Sequence, residues 1–106
     1  MTRKPPSNIK YHMGVEYRIR PKQDHKHKIE KTLRLLPWFS GICPDSGLYE
    51  YRNAEDNLSQ MPEAYADIEE DYVYFCDNGN YGSTILGRLI ASFVSQFGSV
   101  EVSLLE

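Results

Sequence analysis

Several absences narrow the reading of this 106-residue chain before anything present is considered. It has two cysteines, Cys43 and Cys76, in separate segments, with no C-x-x-C pair and no metal-like spacing. That excludes a disulfide-rich scaffold. One bridge between them stays open, and two reduced thiols are the default. No stretch approaches the roughly 20 apolar residues that a membrane-spanning helix needs. The opening M-T-R-K-P-P-S-N lacks the apolar centre of a secretory signal, so the expected compartment is the cytoplasm. Neither the G-x-x-x-x-G-K pattern of a phosphate loop nor the G-x-G-x-x-G of a dinucleotide fold occurs. Between Arg52 and Arg88 there is no lysine or arginine at all.

What is present describes one domain, large enough for a single two-layer core and too small for two. A hydrophobic fraction of 41% and a charged fraction of 25% are ordinary for a globular chain. Tyrosine is over-represented, with eight copies against four phenylalanines and one tryptophan. Its apolar ring and polar tip suit half-buried positions and contact surfaces. The net charge of −3 hides an asymmetry: residues 1–34 hold ten Lys/Arg and three Asp/Glu, residues 35–106 two and twelve. Either the fold keeps the two sets apart and makes a dipolar surface, or it interleaves and neutralises them.

Residues 1–9, with Pro5-Pro6 and no periodicity, read as a flexible tail preceding a single α+β domain over 10–106. Tyr11–Arg20 alternates, with Tyr11, Met13, Val15, Tyr17 and Ile19 on one face and Glu16, Arg18 and Arg20 on the other, which predicts a half-buried strand ended by Pro21. Asp24 is a candidate N-cap for a helix to about Leu36, with Ile29, Leu33 and Leu36 as its buried stripe. Pro37 cannot continue that helix, so Trp38 and Phe39 are expected in its exit, packed under the core, and Gly41–Gly47 as turn chemistry. Leu48–Arg52 reads as a short strand at a sheet edge, open to pairing between subunits. Asn53–Asp71 has no clear period and reads as a long acidic connection, with an extra strand as the alternative. Tyr72–Cys76 is a strand. A loop over Asp77–Gly82 leads into a helix capped by Ser83 or Thr84, with a wide apolar face from Ile85 to Phe97 and Gly98 as its stop. Val100, Val102 and Leu104 alternate inward in a last strand.

The order β-α-β-β-α-β predicts a ferredoxin-like fold: a four-stranded antiparallel sheet with two helices on one face. Arg18, Arg20, Tyr72, Tyr74, Glu101 and Ser103 then fall on the open face.

Among candidate sites, the loop Asp77–Thr84 could aim backbone N–H groups at an anion, which keeps a small ligand-binding or regulatory module as the alternative function. It has no lysine, and Asp77 would repel phosphate, so a turn with a helix start is preferred. His25 and His27 lie two positions apart on a helix, about 200° around its axis, and diverge rather than share a metal. Cys76 ends an aromatic strand and reads as an inert core thiol; Cys43 precedes Pro44 in a turn without a nucleophile signature. No carboxylate pair stands out for acid–base work, so neither enzyme activity nor a cofactor is expected. Tyr72 and Tyr74 beside Arg18 and Arg20 resemble a base-stacking sheet, but Asp67-Ile68-Glu69-Glu70-Asp71 directly upstream would repel a phosphate backbone, so no nucleic-acid partner is expected.

The acidic run from Glu55 to Asp77, interleaved with Tyr65, Tyr72 and Tyr74, is the most distinctive feature. Carboxylates speed encounter with a basic partner and aromatics anchor the contact. The expected contact residues are Glu63, Tyr65, Asp67, Glu69, Glu70, Asp71, Tyr72, Tyr74 and Asp77; a solvated acidic loop without a partner is the bland alternative. The C-terminal third, Y-V-Y-F-C-D-N-G followed by I-L-G-R-L-I and F-G-S-V-E-V, resembles the ends of small bacterial immunity proteins, the cytosolic antidotes encoded beside polymorphic or contact-dependent toxins. The resemblance implies a non-catalytic binder that blocks a cognate protein toxin, often by covering a basic cleft with acidic groups. It transfers no functional residue.

Overall fold

A computed structural model describes residues 14–22, 26–53, 61–79 and 81–105. The expected 1–9 tail, the Asp24 cap and His25 lie outside these residues. Eight elements follow one another: β1 (Val15–Pro21), α1 (Lys26–Leu35), β2 (Phe39–Ile42), β3 (Tyr49–Tyr51), β4 (Ala64–Ile68), β5 (Val73–Asp77), α2 (Gly82–Phe97) and β6 (Val100–Leu104). Their strands form one sheet in the order β2-β3-β4-β5-β1-β6. Every neighbouring pair is antiparallel.

This corrects the expected four-stranded ferredoxin-like sheet: the architecture is α+β, but six strands are present among the described residues. The first addition, β2, was hidden by its punctuation. Trp38 takes a left-handed φ of 67° just after Pro37, turning the chain out of α1, and Gly41 at φ 139° accommodates a register shift between Phe39 and Gly41. The second, β4, is the extra strand that stood as the alternative for the acidic segment; composition argued against it, since alanine and aspartate are poor strand formers. Ladders on both sides, from Tyr49, Glu50 and Tyr51 of β3 and from Val73 to Asp77 of β5, override that preference. The segment expected at an edge, Leu48–Arg52, therefore contributes β3 to the interior of the sheet.

Both helices cover the same face. Ile29, Leu33 and Leu36 of the first helical segment and Ile85, Leu86, Leu89, Phe93 and Phe97 of α2 share one core with Ile19, Tyr49, Tyr51, Ala64, Ala66, Val73 and Phe75. α1 lies toward β2 and β4, and α2 over β5, β1 and β6. Tyr51 is fully buried and donates its hydroxyl to Leu33 O at 2.6 Å. Leu33 belongs to the last turn of α1, whose carbonyls have no partner within the helix, so the phenol fills that vacancy while its ring fills the core. Between the helices, Gln96 Nε2 donates to Thr32 Oγ1 at 2.6 Å, and that hydroxyl donates to Lys28 O at 2.8 Å.

α2 begins differently from the expectation. Tyr81 is its N-cap and makes no side-chain cap bond, so Ser83 and Thr84 already lie inside the helix. Gly82 is required by close approach, because a Cβ there would collide with the Asp77 carboxylate and with Glu63 O. Gly98 closes the helix at φ 91°, donating its N–H to Val94 O at 2.9 Å. Register places Val102 opposite Ile19 and Leu104 opposite Tyr17, on the helix-covered side as expected. They are nevertheless 41% and 55% exposed, at the margin of the layer that α2 makes over the sheet.

Candidate functional site

The open face is organised by strand register. One row reads Glu50, Tyr65, Cys76 and Glu16 across β3, β4, β5 and β1; the next reads Asp67, Tyr74, Arg18 and Ser103 across β4, β5, β1 and β6. Without a helical layer, this face still buries a centre. Tyr74 is 2% exposed and Cys76 0%, beneath Tyr65, Tyr72 and Leu105. Tyr74 donates its hydroxyl to Glu16 Oε2 at 2.6 Å. Burial first, and the Glu16 carboxylate second, hold its phenol well above the ordinary tyrosine range. Cys76 donates to Asn78 Oδ1 at 3.2 Å, and burial pushes its thiol up to about 11. Its burial matches the expected core position. Cys43 is free and partly accessible, and hydrogen bonds from Ser46 lower its pKa.

Around this centre lies an ionic rim. Arg18 stacks its guanidinium 4.9 Å from the centroid of the Tyr72 ring. Arg20 binds Glu101 Oε1 through Nη1 at 3.2 Å, donates from Nε to Asp71 O at 3.4 Å, and approaches the Asp71 carboxylate at 4.0 Å. Behind the same turn, a cavity of about 250 Å³ is lined by Arg20, Lys22 and Lys26 opposite Glu69, Glu70 and Asp71. Basic residues of the first third thus do interleave with the acidic run at this point.

The residues expected to contact a partner do not form one patch. Glu69–Tyr72 make the turn between β4 and β5, with Glu70 and Asp71 exposed and Glu69 and Tyr72 half-buried. Glu63 and Asp77 sit at the opposite end of the same hairpin, where Ala64 pairs with Asp77. At about 3.4 Å per strand residue, the two ends are separated by roughly 14 Å or more. Glu63 is 7% exposed, Asp67 2% and Tyr74 2%, so these three serve the fold rather than offer surface. Asp67 Oδ1 accepts from Ile68 N at 3.0 Å, and the Glu63 backbone bridges Tyr51 O and Asn78 N. Tyr65 is half-buried beside Cys76. What the expected contact residues left out of this site is Glu16, Arg18, Arg20 and Glu101, although the alternation of β1 and β6 already placed all four on the face of Tyr72 and Tyr74.

The loop after β5 is occupied by its own groups. Asp77 Oδ1 accepts from Gly79 N at 2.8 Å, and Gly82 N donates to Gly79 O at 2.8 Å. The Asp77 carboxylate packs on Gly82 at the start of α2, where it would oppose an incoming anion. Among the described residues, no group of three or more His, Cys, Asp or Glu is placed to hold a metal ion. Nor is any helix among them long and apolar enough to cross a membrane. No protein-family model, curated protein or solved structure matches this chain.

Proposed function

We propose that this chain is a non-catalytic protein-binding inhibitor of the immunity type, neutralising a cognate bacterial toxin in the cytoplasm. The contact is the acidic turn Glu69–Tyr72 with its neighbours Arg18, Arg20 and Glu101, and the partner presents a basic surface. The observation that carries the reading is the position of this turn. Glu70 and Asp71 project into solvent at the rim of a rigid face, beside the Tyr72 ring that Arg18 holds in place. Exposed carboxylates accelerate encounter, and a pre-ordered aromatic loses little side-chain freedom on docking. The deeper acids of the same run, Glu63 and Asp67, take no part. Resemblance of the C-terminal third to immunity proteins supplies the identity of the partner class.

The test is protection. Expressing this chain should rescue cells from the toxin encoded beside it, and the two proteins should co-purify. Reversing charge at Glu70 and Asp71 together should weaken that complex about tenfold or more and flatten its salt dependence, with the fold intact. Full protection by the reversed variant would remove this turn from the interface, and no protection by the wild type would remove the immunity reading altogether.

A further inference from the structure

A different surface, independent of that reading, is built for a second copy of this chain. β6 is an outer strand, with β1 on one side and no described strand on the other. In an antiparallel ladder, alternate residues aim their backbone groups at the same neighbour. Leu105 N donates to Glu16 O at 2.9 Å and Lys22 N to Ser99 O at 3.3 Å. Residues 99, 101, 103 and 105 therefore aim at β1, and Val100, Val102 and Leu104 aim their N–H and C=O groups away from the sheet.

The two edges of the sheet are treated unequally. β2 is short and carries the Gly41 irregularity, a device that blunts edge pairing. β6, Val-Glu-Val-Ser-Leu, has no proline, glycine, lysine or register shift. It is also flanked by apolar surface. Arg88, Ser92 and Gln96 of α2 line the groove beside α1. At about 100° per residue, Ile90 and Val94 occupy the opposite flank, toward β6. Val94 is 43% exposed, Val102 41% and Leu104 55%.

We propose that β6 pairs antiparallel with β6 of a second copy about a two-fold axis, joining the two sheets into one. Complementarity selects the register. Setting Val102 opposite itself puts Val100 opposite Leu104 and Glu101 opposite Ser103, and satisfies the outward backbone groups of all three apolar residues. A shift by two residues in one direction sets Glu101 against Glu101, and in either direction strands Val100 or Leu104. A shift by one sets the helix-covered face of one copy level with the open face of the other and splits the apolar strip. In the selected register Glu101 keeps its ion pair with Arg20, and Val94, Val102 and Leu104 of both copies meet on the helix side. The two open faces then point the same way, presenting the Glu69–Tyr72 turn twice.

The test is light scattering and sedimentation of the full chain over a concentration series. The wild type should form a dimer. Val102→Lys should weaken it about tenfold or more, because two like charges would face each other across the axis. Val102→Pro removes an amide that the single copy does not use, so it should abolish the dimer while circular dichroism stays native; should it not fold, Val102→Lys carries the test. Ile42→Lys, on the other edge, should change nothing. Amide exchange at Val100 and Leu104 should slow with concentration in the wild type and not in Val102→Lys. A monomer at every concentration, a dimer indifferent to Val102→Lys, or one broken by Ile42→Lys would overturn the proposal, as would finding β6 paired only with a different protein.

Discussion

The two faces of this sheet bury side chains by different means. The covered face uses a second layer, in which Phe93 and Leu89 of α2 and Leu33 of α1 close over Phe75 and Ile19. Among the described residues the open face has no such layer, yet Tyr74 is as inaccessible as most of the core. There the sheet covers itself: Tyr65 and Tyr72 lean over the centre from neighbouring positions, and Glu16 accepts from the buried Tyr74 hydroxyl. Long amphipathic side chains can close a small centre without a helix, provided each polar tip finds a partner. Such a centre is narrow, and the exposed ionic rim begins within one residue of it.

The largest separation of the two faces should come from truncating their centres. Phe93→Ala should cost about 3 to 5 kcal/mol in urea unfolding, since the cavity it leaves is walled by two layers. Tyr74→Ala should cost less, about 2 to 3 kcal/mol, because water can enter from the open side; equal losses would mean that the open face is as closed as the covered one. High pH should find the open face next. The Cys76 thiol is raised from an ordinary 9.0 to about 11, so the unfolded chain loses that proton first. Stability contributed by the neutral thiol is complete below about pH 9 and disappears as pH rises through about 11, a loss on the order of 2 kcal/mol. Cys76→Ala should flatten the fall between those values, and the raised Tyr74 phenol should prolong it beyond them. Tyr74→Phe removes the hydroxyl that bonds Glu16 and Cys76 and should cost about 1.5 kcal/mol. Smallest of all, Glu70→Lys on the rim should move stability by no more than about 0.5 kcal/mol, while changing partner binding.

Legibility in the sequence followed the same division. Wherever burial was one-sided and the residues were β-branched or aromatic, alternation gave the correct face: Tyr17 and Ile19 inward, Arg18 and Arg20 outward, Tyr72 and Tyr74 on the open side. The apolar stripe of α2 and its closing glycine were equally visible. β2 was not, and β4 was visible only as an alternative to a loop, because Phe-Ser-Gly-Ile and Ala-Tyr-Ala-Asp-Ile have weak local preferences and become strands through partners distant in sequence. The acidic run illustrates the limit for the site. Its carboxylates are adjacent in sequence, but the β4–β5 hairpin sends Glu63 and Asp77 to one end, Glu69–Asp71 to the other, and Asp67 into a buried row.

By itself, the sequence determined the class of domain, the strand faces and the apolar stripes of the helices, because these depend on periodicities of two and 3.6 residues that neighbours along the chain already express. Strand number, strand order and the identity of the edges belonged to the tertiary structure alone. An edge is defined by what does not pair with it, and pairing is a long-range property that no local pattern encodes. That is why Leu48–Arg52 looked like an edge and became an interior strand, while Val100–Leu104, legible only in which side chains turn inward, became the outermost of the described strands.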